Sequence, residues 1–220
     1  MATQVAIYNM ALGRIGIDDY VENLTDQTNE ANACNTFYEA CRDLCLSSYP
    51  WPFATRRATL AVLAAEPARA GWRYVYALPA DVITPLYIYS GGQGFALYDP
   101  TTFYALQNPR APRADQRVPY AIEASLLPDN DGQVLLCDYV DPIFIYTSMI
   151  KDTSKFDANF TNALAWLLAA EIVMPLNIQP QIEQKCRGQF NQAIKDAIAS
   201  TLHSQQQDMD PDSAVITGRL

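Results

Sequence analysis

The segment Gly71-Trp-Arg-Tyr-Val-Tyr-Ala-Leu-Pro79 decides the fold class, because the hydrophobic period of the chain changes there. From residue 73 to residue 78 the side chains alternate with a period of two, which is typical of a β-strand that ends at the proline. Both ends of the chain show the helical period of about 3.6 residues instead. This order predicts an α+β protein in which a β insertion interrupts a helical module.

Two helices are predicted before this segment. Residues 4–16 carry apolar side chains at helical spacing, with Thr3 as a possible N-cap and Gly16 as a stop. A polar turn with Asp26, Thr28, Asn29 and Glu30 offers an N-cap and first-turn acids for the second helix, which must end before Pro50. The apolar stripe of that helix consists of Cys34, Phe37, Tyr38, Cys41, Leu44 and Cys45.

Several strands are predicted between residues 71 and 149, and together they are expected to form an antiparallel sheet. They cover residues 73–78, 82–89, 119–126, 133–140 and 142–149. Pro85 has no backbone N–H, so the second of these strands is expected at an edge or with an irregularity. The turn sequence Pro128-Asp-Asn-Asp-Gly132 joins the third strand to the fourth and predicts a β-hairpin.

Residues 95–117 have no clear period, which predicts a long exposed excursion. Its aromatic and arginine side chains are of the kind enriched at protein interfaces, and they would also suit stacking on bases and contacts with phosphates. Because the rest of the chain is acidic, we favour a protein partner. The candidate partner-binding residues are Phe95, Tyr98, Phe103, Tyr104, Arg110, Arg113 and Arg117.

Two further helices are predicted after residue 149. One is capped by Asp157, and the other begins near Pro180 and ends by His203. Residues 204–220 are polar and acidic with a short apolar patch, which predicts an extended arm. The candidate contact residues of this arm are Asp208, Met209, Asp210, Val215, Ile216, Arg219 and Leu220.

The predicted organisation has four parts. Residues 1–70 and 150–203 are the two halves of a four-helix module, with two helices from each end of the chain. Residues 71–149 form the β-sheet insertion, and residues 204–220 form the C-terminal arm.

Composition and charge exclude several classes of protein. With 15 Lys and Arg against 24 Asp and Glu, the net charge is −9, which disfavours a typical binder of nucleic acid or acidic lipid. Only 18% of the residues are charged, so much of the surface must be uncharged and is expected to pack against partner chains. No apolar run reaches the ~18 residues of a membrane helix. The five cysteines indicate a reducing compartment, and we expect a soluble protein that is not secreted.

No catalytic motif is complete in the sequence. It has no glycine-rich phosphate loop, and its single histidine excludes an HExxH zinc motif. Ser148-Met-Ile-Lys151 has the spacing of a Ser–Lys pair but lacks the motifs that accompany one. Asp129-Asn-Asp131 is similar to the start of a calcium loop, but its glycine comes too early, so a turn is favoured. We therefore predict no catalytic residue, no metal and no cofactor.

Two other features favour structural explanations. Cys34, Cys41 and Cys45 fall on one helical face, where burial is expected more often than zinc binding. Glu171 interrupts an apolar run, which predicts a buried carboxylate with a cationic partner. The candidate partners are Arg14, Arg42, Arg56 and Arg57.

Several stretches together carry a resemblance to a known family. They are Ala11-Leu-Gly-Arg-Ile-Gly16, Glu30-Ala31 with Tyr38 and Arg42, Tyr49-Pro-Trp-Pro-Phe-Ala54, Gly71–Pro79 with Asp81, and Phe156-Asp157 with Phe160 and Ala163-Leu-Ala-Trp-Leu-Leu-Ala-Ala-Glu171. In this order and spacing they resemble the tail tubular protein A family, the head-to-tail adaptor of short-tailed double-stranded DNA bacteriophages. The resemblance covers roughly residues 3–200 and leaves residues 90–117 unmatched.

The resemblance implies a homo-oligomeric ring, dodecameric in the family, between the portal protein and the tail nozzle built by tail tubular protein B. Tail fibres would dock nearby, double-stranded DNA would pass without specific binding, and no membrane or cofactor would be involved. Within that frame we assign the arm to the portal and the excursion to the nozzle or the fibres, in the neck of the virion. A head-completion protein of a related long-tailed phage and a hydrolase that uses Ser148 and Lys151 are the alternative hypotheses.

Overall fold

The computed structural model describes residues 2–64, 66–67, 69–90, 117–127 and 132–206. The helices are α1 (Gln4–Arg14), α2 (Asn29–Ser48), α3 (Ala158–Ile172) and α4 (Pro180–Gln206), and a 3₁₀ turn spans Thr153–Lys155. The strands are β1 (Thr55–Thr59), β2 (Tyr74–Ala77), β3 (Val82–Ser90), β4 (Arg117–Val118), β5 (Ala121–Ala124), β6 (Gln133–Cys137) and β7 (Pro142–Ser148). The predicted α+β class is confirmed.

The chain divides into two compact units. The helical unit comprises Met1–Tyr49 and Ile150–Leu220, and the sheet unit comprises Pro50–Met149. The sequence placed the first boundary after residue 70, and this position is wrong. Residues 55–59 form β1, which pairs with β7 over its whole length and therefore belongs to the sheet unit. The exposed and polar sequence of β1 gave no alternation from which a strand could be predicted.

The helical unit is built around α3. Ten of the 15 residues of α3 are buried, and α1, α2 and α4 all contact it. The predicted N-caps Thr3 and Asp157 are confirmed, because their side chains accept hydrogen bonds from the first turns of α1 and α3. Within the polar turn before α2, Thr28 is the residue that caps the helix, and it accepts from the Ala31 amide. Gly16 has φ +83, a conformation that suits glycine and carries the chain out of α1.

The sheet unit contains two antiparallel sheets. A four-stranded sheet has the order β1-β7-β3-β4, and a three-stranded sheet has the order β2-β6-β5. The predicted hairpin is confirmed, since β5 and β6 are paired antiparallel. The pairing starts with Ala121 opposite Leu136 and ends with Ala124 opposite Gln133. The register of β3 against β7 shifts between Pro85 and Tyr87, as expected for a strand that contains a proline.

The core of the sheet unit lies between its two sheets. It joins Ile88, Phe144 and Tyr146 of the four-stranded sheet to Tyr76 and Leu135 of the three-stranded sheet. The sequence analysis expected one antiparallel sheet, whereas the strands form two. Two facing sheets bury the apolar side of each, which a single sheet in this unit could not do. On the second face of the four-stranded sheet Ile145 and Thr147 of β7 are buried, whereas Arg57 of β1 and Arg117 of β4 are exposed.

Candidate functional site

Arg117 is the predicted partner-binding residue that the structure describes. It begins β4, and its guanidinium carbon lies 4.3 Å from the centre of the Tyr87 ring. The other candidates of the excursion, Phe95, Tyr98, Phe103, Tyr104, Arg110 and Arg113, lie outside the described residues. The candidate arm contacts Asp208, Met209, Asp210, Val215, Ile216, Arg219 and Leu220 also lie outside them.

Arg117 belongs to a group of side chains on the second face of the four-stranded sheet. Arg57 pairs with Ile145, and Ile145 pairs with Tyr87, so these three residues share a face. Tyr89 follows Tyr87 by two residues and pairs with Arg117, which places both on the same face. We call Arg57, Tyr87, Tyr89 and Arg117 the arginine–tyrosine face.

The arginine–tyrosine face has the chemical character of a protein interface. Both arginines are exposed, and both tyrosines are half-buried. Within the described residues neither Arg57 nor Arg117 forms an ion pair, so their guanidinium groups retain their donors. Tyrosine and arginine are enriched where proteins bind one another. The sequence did not identify Arg57 or the two tyrosines, because only strand pairing brings them beside Arg117.

A second exposed surface lies in the helical unit, in the connection between α1 and α2. We call residues 18–24 the acidic loop. The exposed side chains of the loop include Asp18, Asp19, Glu22, Tyr20 (58% exposed) and Leu24 (40% exposed). None of its three carboxylates forms an ion pair within the described chain. The carboxylates can therefore bind basic groups of a partner, and the exposed apolar side chains beside them can pack on its aromatic rings.

Hydrogen bonds from side chains hold the backbone of the acidic loop in place. Asn9 Nδ2 donates to the carbonyl of Val21 at 2.9 Å, and the Val21 amide donates back to Asn9 Oδ1 at 2.9 Å. Asp26 accepts from the amides of Glu22 and Asn23, and Asn35 donates to the carbonyl of Leu24 at 2.9 Å. The loop is thus preorganised although its side chains are exposed, which lowers the entropic cost of binding.

A polar cluster in the sheet unit centres on Asp81. Arg56 Nη1 donates to Asp81 Oδ2 at 2.8 Å, and the Tyr146 hydroxyl donates to Asp81 Oδ1 at 2.9 Å. The Met149 amide donates to the Asp81 carbonyl at 2.7 Å. Burial, followed by the hydrogen bond to Asp81, raises the pKa of Tyr146. The cluster connects β1, β7 and the segment that precedes β3, so its role is structural.

A second polar cluster centres on Glu66, whose side chain is fully buried. Its carboxylate accepts hydrogen bonds from the hydroxyl of Ser125, the amide of Leu126 and Nη2 of Arg69. The hydrogen bond from Ser125 is the main reason why the pKa of Glu66 lies below its ordinary value of 4.5. An ionised carboxylate with three donors is satisfied and serves to fix the segment after β5.

Two arginines of the helical unit make polar contacts with side chains of α3. Arg14 lies 4.1 Å above the ring of Trp166 and donates to Asn162 through both terminal nitrogens. Burial lowers the pKa of Arg14 to about 10, so the group stays charged at neutral pH. The predicted partner of Glu171 is wrong, since Arg187 of α4 donates to Glu171 Oε1 at 3.0 Å. Glu171 is also 30% exposed and is not a buried carboxylate, because it lies on the margin of α3 facing α4.

The Ser–Lys pattern lacks the geometry of a catalytic pair. Ser148 ends β7, is fully buried, and donates its hydroxyl proton to the carbonyl of Ala54 at 2.9 Å. A hydroxyl committed to a backbone carbonyl away from solvent cannot attack a substrate. Lys151 is exposed.

The cysteines of α2 are buried thiols. Burial raises the pKa of Cys34 and of Cys41 to about 12 and raises the pKa of Cys45 as well. Thiols with such values stay protonated and are poor nucleophiles and poor metal ligands. Among the described residues no group of three or more His, Cys, Asp or Glu side chains is placed to bind a metal ion.

A cavity of about 420 Å³ lies in the sheet unit, where the chain passes from β2 to β3. Its lining includes residues 77–80 and Leu63, Val82, Gly132 and Gln133. None of these described residues carries a titratable side chain, so they supply the cavity with no acid, base or nucleophile. In the described part of the chain, no helix has the length and apolar character required to cross a bilayer.

No protein-family model matches the chain, and no curated protein matches it either.

Proposed function

We propose that this chain is a structural subunit of a ring that connects the portal of a short-tailed phage to its tail nozzle. The resemblance to the tail tubular protein A family supplies this hypothesis. The structural observation that supports this hypothesis concerns the residues on which the resemblance rests. Several of their side chains bind other segments of the fold, as expected of scaffold residues.

Three of these residues illustrate the point. Arg14 packs on Trp166 and so joins α1 to α3, and Asp81 joins three segments of the sheet unit. Arg42 is 4% exposed and is paired with Asp43 at 2.8 Å within α2. In each of the three cases the charged group is engaged with another part of the protein, as expected of a residue that serves the scaffold. This pattern supports a building block and not an enzyme.

The charge distribution favours passage of DNA over its retention. Within the described residues the helical unit has seven basic and twelve acidic residues, a net charge of −5, whereas the sheet unit has five of each. Protein that releases counterions from phosphates needs clustered Lys and Arg, which the helical unit lacks. A ring whose channel is lined by the helical unit would repel the duplex and let it slide.

The length of α4 supports the assignment of the C-terminal arm to the portal. α4 has 27 residues and α3 has 15, so at ~1.5 Å per residue α4 is about 40 Å long and α3 about 22 Å. The last turns of α4 therefore extend past the helix on which it packs.

Imaging of the chain with a portal protein tests the proposal. We expect negative-stain images of the purified chain mixed with the portal of the same phage to show a ring of this chain on one end of the portal. Native mass spectrometry of the chain alone measures its own tendency to assemble. A chain that stays monomeric and ignores the portal would contradict the proposal, and so would density for this chain elsewhere in an intact virion.

Gel-shift measurements test the non-specific passage of DNA. We expect no stable complex with a short duplex at about 150 mM salt, because the net charge is −9. A tight complex at that salt concentration would contradict the role proposed for the acidic helical unit.

A further inference from the structure

We propose that the acidic loop of one copy binds the arginine–tyrosine face of the next copy, and that this contact closes the ring. The inference rests on the proposed ring and identifies the contact that would build it. The partner of each surface is a second copy of this chain. Two structural observations lead to it, namely the unpaired charges of each surface and the preorganisation of the loop.

The charges of the two surfaces are complementary. The arginine–tyrosine face carries Arg57 and Arg117 without carboxylate partners in the described chain, although the protein as a whole is acidic. The acidic loop carries Asp18, Asp19 and Glu22 without cationic partners in the same described residues. Each surface thus has the charges that the other lacks, which favours mutual binding.

The apolar parts of the two surfaces also suit each other. Tyr20 and Leu24 add exposed apolar surface to the acidic loop, at 58% and 40%. The half-buried rings of Tyr87 and Tyr89 lie on β3, between the strand of Arg57 and the strand of Arg117, and add aromatic surface to the face. Arginine stacked on tyrosine, as in Arg117 on Tyr87, keeps its donors directed outward for a carboxylate.

The two surfaces belong to different units of the chain, which determines the kind of assembly they produce. The acidic loop is in the helical unit, and the arginine–tyrosine face is in the sheet unit. A contact between two different surfaces is heterologous, so each copy has one free surface of each kind after it binds a neighbour. Such contacts generate a closed ring when the rotation between copies allows closure.

A charge-swap experiment tests the contact. One variant carries Arg57→Glu and Arg117→Glu, and the other carries Asp18→Arg and Asp19→Arg. We expect each variant alone to associate with itself on the order of 100-fold more weakly than the unmodified chain, because like charges then face each other. An equimolar mixture should recover assembly, since both contacts of an alternating ring then join opposite charges.

Sedimentation velocity over a range of concentrations measures association for each sample. Arg73→Glu is the matched control, because Arg73 is exposed in the sheet unit and forms no ion pair in the described chain, yet lies outside the arginine–tyrosine face. It should assemble as the unmodified chain does. Circular dichroism of each variant checks that it is folded.

The outcomes separate this inference from the proposed function. If both charge-reversal variants assemble on the portal as well as the unmodified chain, the inference is wrong and the ring adaptor stands. If the variants fail singly and the mixture does not recover, the complementary contact is also wrong. If the unmodified chain forms no oligomer alone or on the portal, both the ring and the contact are overturned.

Discussion

At the scale of single residues, the Asp81 carboxylate binds two side chains that should contribute unequally to stability. The Tyr146 side chain is largely buried and donates a hydrogen bond, whereas the Arg56 side chain is 49% exposed, so water screens its ion pair. The hydrogen bond should therefore contribute more to stability than the ion pair, although both distances are similar.

Substitutions at these three positions test that order. We expect Asp81→Ala to lower the free energy of unfolding by ~1–2 kcal/mol, Tyr146→Phe by ~1 kcal/mol and Arg56→Gln by less than ~0.5 kcal/mol. Urea unfolding followed by fluorescence measures all three. A larger loss for Arg56→Gln than for Tyr146→Phe would show that the ion pair dominates.

Glu66 makes stability depend on pH. Its pKa in the folded protein lies below the ordinary value of 4.5, chiefly because Ser125 donates a hydrogen bond to the carboxylate. The ionised form is favoured by folding, so this stabilisation is fully present above about pH 4.5 and is lost as the pH falls through the folded pKa. We expect Glu66→Gln to destabilise the protein at neutral pH and the difference from the unmodified protein to shrink below pH 4.5.

Urea midpoints from neutral to acidic pH check this expectation. Glu123→Gln is the control, because Glu123 contacts the same Arg69 but is 50% exposed. Its effect on stability at neutral pH should be smaller, because water screens an exposed ion pair. A Glu66→Gln difference that grew on acidification would have the opposite sign and would contradict the role of the carboxylate.

At the scale of secondary-structure elements, two glycines offer a test of backbone conformation. Gly16 has φ +83 at the end of α1, and Gly188 lies within α4, and a Cβ at either position meets nothing within 4 Å. An added methyl group therefore meets no steric hindrance at either position, and the two positions differ only in their backbone φ angle. The same substitution should have opposite effects at the two positions.

We expect Gly16→Ala to destabilise the protein by roughly 1–2 kcal/mol, because an L-residue is strained at positive φ. Gly188→Ala should stabilise it by up to about 1 kcal/mol, because alanine loses less backbone entropy in a helix. Thermal unfolding of the two variants side by side gives both values. Equal signs would mean that one of the two backbone conformations is not as described.

Elements differ in how well the sequence predicts them. The helices α1 to α3 were predicted together with their caps, because Thr3, Thr28 and Asp157 act locally on the first turn that follows them. The strand β1 was missed, because four of its five residues are exposed and it gains its structure from pairing with β7. β-structure of this kind depends on a partner that is distant in the sequence.

At the scale of the whole molecule, the two ends of the chain build one unit, and the middle builds the other. Among the residues whose burial is described, Ala197 is the last one in the core, so we expect the folded body to depend little on the end of the chain. A truncation can therefore separate folding from attachment to a partner.

We expect deletion of residues 204–220 to leave the melting temperature nearly unchanged and to abolish binding to the portal. Co-sedimentation with the portal measures binding, and differential scanning calorimetry measures folding. The control replaces residues 207–220 with a Gly/Ser segment of the same length, which should also fold and fail to bind. Unchanged binding by either variant would refute the role of the arm.

The sequence by itself determined the α+β class, the helix caps, the β5–β6 hairpin and the irregularity at Pro85, because each depends on periodicity or on contacts within a few residues. Only the tertiary structure decided that the strands divide into two sheets, that Glu171 pairs with Arg187, and that Arg57 lies on one face with Tyr87 and Arg117. Those facts join residues far apart in the chain. Their energies come from burial and pairing that exist only once the chain has folded.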